Sequence, residues 1–67
     1  MKALSGKELA KLLEEHGWRL ARVKGSHHIF VKDGREEVIS VPIHGSKDLK
    51  KGLIRSILKV AGIEIEK

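Results

Sequence analysis

The chain has 67 residues, no cysteine, and a net charge of +5. A chain this short folds as one domain, residues 1–67, around one small core, burying roughly 60% of the surface it exposes when unfolded. That excludes a deep pocket for a large cofactor and leaves a surface site, while the missing thiols exclude disulfides, cysteine metal sites and a cysteine nucleophile. The longest apolar runs fall well short of the ~18 residues of a membrane span. Met1-Lys2-Ala3-Leu4 leads into a charged helix rather than the apolar core of a signal peptide. A cytoplasmic protein with no membrane partner is expected.

The layout of charge says more than its sum. From Arg19 to Lys32 there are four basic residues and no acid, and from His44 to Lys59 five basic residues against Asp48 alone. The acids gather at Glu8, Glu14 and Glu15, at Asp33, Glu36 and Glu37, and at Glu64 and Glu66. Two basic segments flanking a histidine pair point to a polyanion partner. A lysine-rich solvated surface is the plainer alternative.

In chain order, residues 1–16 read as a helix. Ser5 and Glu8 have capping-box spacing, and Leu4 with Leu9 has staple spacing. Leu9, Leu12, Leu13 and His16 form one apolar stripe, His16 covers the helix end, and Gly17 supplies the left-handed stop. Trp18–Val23 reads as a first strand. Alternation puts Trp18, Leu20 and Arg22 on one face and Arg19, Ala21 and Val23 on the other. Trp18 is expected to anchor the core at the helix–strand junction.

Lys24-Gly25-Ser26 is a hairpin turn, with Gly25 free to take positive φ. His27–Lys32 follows as a second, antiparallel strand, and Asp33-Gly34 signals another tight turn. Val38–Ile43 is a third strand, and Pro42 marks its end. After a loop in which Asp48 or Ser46 has helix-capping chemistry, Leu53, Ile54, Ile57, Leu58 and Ala61 give a second helical stripe, stopped by Gly62. Gly52, near the first turn, permits close approach of backbone to sheet or ligand. Ile63–Lys67 is a tail. The order α-β-β-β-α predicts an α+β fold: a three-stranded antiparallel sheet with both helices on one face.

His27 and His28 are neighbours in a strand, so they point to opposite faces. His28 shares a face with Phe30 and Lys32; His27 shares the other with Ile29 and Val31. Phe30, with Ile39 and Val41 of the third strand, fits the helix-packed face. That places His28 at the margin of the core and His27 on the open face. Histidine is the side chain whose ordinary titration lies closest to neutrality, about 6.5, which suits general acid–base work on a phosphodiester. RNA carries its own nucleophile in the 2′-OH, so a histidine among cations fits RNA cleavage better than DNA cleavage, which relies on metal-activated water. A structural role for a lone strand histidine is the competing reading. No ligand-type histidine or carboxylate spacing appears, and neither a metal nor a cofactor is expected.

Beyond these patterns, the chain resembles the HicA toxin family, also called YcfA-like. The resemblance rests on Glu15-His16-Gly17-Trp18, Val23-Lys24-Gly25-Ser26-His27-His28-Ile29-Phe30, Val41-Pro42-Ile43-His44, Leu49, Gly52-Leu53-Ile54-Arg55-Ser56-Ile57-Leu58 and Ala61-Gly62-Ile63. It covers nearly the whole chain. It implies a fold similar to the double-stranded-RNA-binding domain and the activity of a ribosome-independent mRNA endonuclease. It also implies a HicB-type antitoxin that masks the site. By the same resemblance His27 is the catalytic histidine and Gly25 matters for function. The expected RNA-binding residues are Gly25 and Ser26 of the turn with Lys24, Arg22, Lys32 and Lys47. His44 is a candidate second catalytic group. The free chain is expected to be a monomer and the antitoxin complex a hetero-oligomer. A non-catalytic RNA-binding module is the alternative function. The chain departs from the family at Gly52-Leu53-Ile54, where Gly-Thr-Leu is common, and so lacks a hydroxyl at the start of the second helix.

Overall fold

A computed structural model describes residues 4–45 and 47–63. Its first helix, α1 (Gly6–Glu15), starts at Ser5. The Ser5 Oγ accepts from the Glu8 N–H at 3.2 Å, and the Ser5 N–H donates to Glu8 Oε1 at 2.9 Å. Two otherwise orphaned donors are satisfied reciprocally, as the capping-box spacing predicts. Leu9 and Leu13 turn inward and are fully buried. His16 closes the helix with Nδ1 3.0 Å from the Leu12 carbonyl, and Gly17 follows at φ +92°. Trp18 donates its N–H to the Leu13 carbonyl at 3.0 Å, which folds the chain back and drops the indole into the core at 1% exposure.

Three strands follow: β1 (Arg19–Lys24), β2 (His27–Val31) and β3 (Ile39–Pro42). They form one antiparallel sheet in the order β1-β2-β3. The second helix, α2 (Lys51–Ala61), ends on Gly62 at φ +75°, with Ile63 donating to the Leu58 carbonyl at 3.0 Å. This closes the orphan carbonyls of the last turn. Both helices cover the sheet face that carries Phe30, Ile39 and Val41. Trp18, Phe30, Leu9, Leu13, Ile54 and Val41 are the largest fully buried side chains, each contributing roughly 1.5–3 kcal/mol by leaving water. No helix among the described residues is long and apolar enough to cross a membrane.

Several local expectations change. Trp18 precedes β1 rather than opening it, because its amide closes the helix end. The turn at Asp33-Gly34 forms, with Arg35 donating to the Lys32 carbonyl at 3.0 Å, but β3 begins only at Ile39. Residues 35–38 run outside the sheet because Arg35 is held elsewhere. Its Nη2 donates to the Val60 carbonyl at 2.8 Å, its Nε to Glu37 at 2.9 Å, and its guanidinium stacks 5.6 Å from the Trp18 ring. Asp48 does not cap α2. It pairs with Ser5 in an isolated bridge, the N-cap is Lys50 without a side-chain bond, and Ser46 lies outside the described residues. Leu53 is 38% exposed rather than part of the buried stripe. The tail beyond Ile63 also lies outside the described residues.

The Arg35 guanidinium beside Glu37 holds that carboxyl below its ordinary value. A depressed carboxylate stabilises the fold above its unfolded titration and loses that effect as pH falls through the folded one. Whatever this exposed pair adds is therefore present at neutral pH and fades on acidification.

Gly6 sits where α1 meets the end of β3. A β-carbon there would fall 2.5 Å from the Pro42 carbonyl oxygen and 2.8 Å from Ile43 Cγ1. Alanine is ordinarily better than glycine in a helix by about 1 kcal/mol. Here Gly6→Ala is expected to lower stability instead, by about 1–3 kcal/mol as in other overpacked contacts. A urea melt reads the sign; a gain in stability would mean that Pro42 and Ile43 give way freely.

Candidate functional site

The strand register separates the two histidines. His28 stands opposite Val23 and Val41 and shares its face with Phe30 and Ile39, the face the helices cover. It is half-buried, with Nδ1 buried and without a hydrogen-bond partner among the described residues. His27 stands opposite Lys24 on one side and Pro42 on the other and is exposed on the open face. Direct cross-strand partners have β-carbons about 4.5–5.5 Å apart, so the Lys24 ammonium and the His27 imidazole share one patch of solvent.

Two residues close the β1–β2 hairpin between this pair. Gly25 takes φ +61° while Ser26 stays at negative φ, the pattern of a II′ turn with glycine at its first central position. A β-carbon on Gly25 would meet nothing within 4 Å. The glycine is therefore required for backbone conformation, and the space above it is open. The half-buried Ser26 accepts from the Ile43 N–H through its carbonyl at 2.8 Å. That bond carries the β2–β3 pairing past His27 and brings Ile43, His44 and Lys47 to the same end of the sheet. There, the exposed His44 accepts from the Lys47 N–H at 3.1 Å through its carbonyl, across a turn containing Gly45 at φ +61°. His44 and Lys47 are thus on the His27 end of the molecule.

β1 is irregular between Leu20 and Arg22, where Ala21 is the extra residue. The alternation expected from sequence therefore breaks. Arg22 does not share a face with Leu20; it stands opposite Ile29 on the open face, and Val23 turns to the helix face opposite His28. The bulge is the physical reason, since one added residue inverts every later side chain. It brings Arg22 to the face of Lys24 and His27.

Lys32 is not brought there. It lies beyond the other end of β2, about 16–17 Å from His27 along the extended strand. Its Cε lies 3.3 Å from the place a β-carbon on Gly17 would occupy. Asp33, Glu36 and Glu37 belong to that remote end as well. On the open face next to His27, the exposed Ser40 stands opposite Ile29. It follows from the register and carries no signal in sequence, where Ser40 is one polar residue in an apolar run.

Among the described residues the site is an exposed surface: Arg22, Lys24, His27 and Ser40 are all open to solvent. A shallow groove between β3 and α2 is lined by Val38, Leu53, Ile57 and Val60, among others, with no titratable group in its wall. Among the described residues no three histidine, aspartate or glutamate side chains gather as metal ligands.

None of the curated proteins matches the chain. A family model described as the HicA toxin of bacterial toxin–antitoxin matches residues 6–63. Among solved structures, the chain is similar to one from the HicA3 and HicB3 toxin–antitoxin complex, with 38% identity and a TM-score of 0.75. That alignment covers 90% of this chain and 96% of the other. The matched segment contains both helices, all three strands and the Lys24–His27 pair, and the chain belongs to the HicA family of toxins of bacterial toxin–antitoxin systems.

Proposed function

We propose that the protein is the RNA-cleaving toxin of a toxin–antitoxin pair, acting on mRNA in the cytoplasm independently of the ribosome, with His27 as general base. The observation that carries this reading is the position of His27: exposed, on the open sheet face, cross-strand from Lys24 and beside an open glycine turn.

His27 accepts the proton of a substrate 2′-OH, and the freed oxygen attacks the adjacent phosphorus. The bond from phosphorus to the 5′-oxygen breaks, leaving a 2′,3′-cyclic phosphate and a 5′-hydroxyl. The imidazolium then returns its proton to the departing 5′-oxygen, so one residue serves as base and acid in turn. Lys24 and Arg22 stabilise the charge that grows on the phosphate oxygens. Gly25 and Ser26 let the RNA backbone come close. Lys47 and His44, at the same end, extend the cationic and polar surround. The nucleophile belongs to the substrate, so no metal-activated water is required.

A HicB-type protein, the kind of partner in the similar solved complex, is proposed as the antitoxin. It covers the open face; the free chain is a monomer and the complex a hetero-oligomer. Product analysis tests the activity. RNA incubated with the purified chain in excess EDTA is expected to yield new ends carrying cyclic phosphate. Intact RNA that only shifts in mobility would instead mark a binding module.

A further inference from the structure

Regular alternation from Leu20 would carry Arg22 to the helix face. With Ala21 as the extra residue, Arg19 stands opposite Val31, Arg22 opposite Ile29 and Lys24 opposite His27. All three cations therefore lie on the open face, in one row along the outer strand. Leu20 and Val23 turn the other way. Bulges at sheet edges re-aim side chains; this one makes a basic rail that ends at His27.

Every residue of β1 is exposed. Among the described residues Arg22 and Lys24 form no ion pair, and Arg19 meets only Asp33, at 3.0 Å between side chains 67% and 90% exposed. Such a pair is worth about 0–1 kcal/mol and yields readily to a competing anion. Successive cations are separated by two strand rises, about 6.6–6.8 Å. This is the scale of the repeat between neighbouring phosphates on an extended single strand. A single strand can also turn its unpaired bases towards the sheet, whereas a duplex keeps its bases paired inward and offers only its backbone and grooves. Beside the rail, Ile29 and Val31 are half-buried on the same face and give bases an apolar surface. The chain's one Phe and one Trp are both buried in the core, so base contact here is apolar rather than by aromatic stacking.

We propose that the substrate is single-stranded RNA whose backbone runs along β1, over Lys24, Arg22 and Arg19 in turn. The scissile phosphate lies at the Lys24–His27 end and the bases rest against Ile29 and Val31. This rests on the reading of His27 as the general base. It adds Arg19 as a substrate-binding residue and makes Asp33 its competitor.

The test uses His27→Ala protein, which should hold RNA uncut, and a short labelled single-stranded RNA followed by anisotropy over a range of salt. Each of Arg19→Gln, Arg22→Gln and Lys24→Gln is expected to reduce the slope of log K against log salt by about 0.7, one phosphate contact. Asp33→Asn is expected to tighten binding several-fold, and duplex RNA of equal length to compete poorly. Thermal melts of the variants control for folding. If single-stranded RNA binds but Arg19→Gln and Arg22→Gln leave the slope unchanged, the rail is wrong and the nuclease reading stands. Weaker binding by Asp33→Asn, or equal competition by duplex, also overturns the proposal. No binding of RNA even at low salt sinks the nuclease reading with it.

Discussion

His27→Ala is expected to lower RNA cleavage by about 10²–10⁴-fold, the usual contribution of a positioned general base, while the melting temperature of the chain stays in place. The two halves of that expectation have one origin. His27 projects from the open face, is exposed, and its side chain makes no hydrogen bond among the described residues. Truncations of that kind change stability by no more than about 0.5 kcal/mol. His28→Ala should behave in the opposite way. That side chain is half-buried against Val23 and Val41 on the covered face. Its loss opens the core margin and costs stability, within the common range of about 0.5–3 kcal/mol. The molecules that remain folded should still cut RNA. Cleavage by His27→Ala combined with a fully folded but inactive His28→Ala would overturn the assignment of faces to function.

The largest loss of stability is expected at Trp18. A domain of 67 residues has a net stability on the order of 3–10 kcal/mol, and Trp→Ala in a core removes about 3–5. Trp18→Ala should therefore leave a chain that is partly unfolded near body temperature. The indole is 1% exposed and joins the end of α1 to the start of β1. It is also the platform for Arg35, whose guanidinium stacks on it and ties the β2–β3 connection to the Val60 carbonyl of α2. Removing the ring opens the core and loosens that clasp together. Trp18→Phe should be much milder. Nε1 is buried without an acceptor among the described residues, so phenylalanine surrenders no hydrogen bond. Since this is the chain's only tryptophan, far-UV circular dichroism is the probe; equal losses in the two variants would assign the effect to lost shape rather than lost volume.

Features set by neighbours in the chain were legible in the sequence. Ser5 and Glu8 lie three residues apart and satisfy each other's backbone, so the helix start needed no tertiary information. The stops at Gly17 and Gly62 and the turn at Gly25 are likewise local backbone requirements. The opposite faces of His27 and His28 follow from the strand period, and the choice of covered face followed from Phe30, Ile39 and Val41. Features that depend on pairing were not legible. The extra residue at Ala21 exists only relative to β2. Without the register, alternation grouped Arg22 with Leu20 and hid the row formed by Arg19, Arg22 and Lys24. Arg35 reads as one more surface cation until the fold brings Val60, 25 residues away, within 2.8 Å of it. Gly6 reads as an ordinary first-turn residue, and its role comes from Pro42 and Ile43 at the end of β3 packing against it. Asp48 has capping chemistry, yet the strand-like bridge to Ser5 takes the segment first.

These same contacts hold the site in place. Gly6 fixes the end of β3, the Ser26–Ile43 hydrogen bond fixes the start of β2, and Gly25 sets the turn between Lys24 and His27. The cation and the imidazole thus sit on a short, well-paired end of the sheet, which suits chemistry that needs two groups held at one phosphate.

In the proposed mechanism RNA supplies the nucleophile and His27 removes its proton. The most direct measurement is cleavage by the purified wild-type chain, in excess EDTA, of a single-stranded RNA and of its DNA counterpart of the same sequence. The RNA should be cut to products ending in cyclic phosphate, and the DNA should remain whole. Cleavage of both, or loss of RNA cleavage that returns only with added divalent metal, would contradict it.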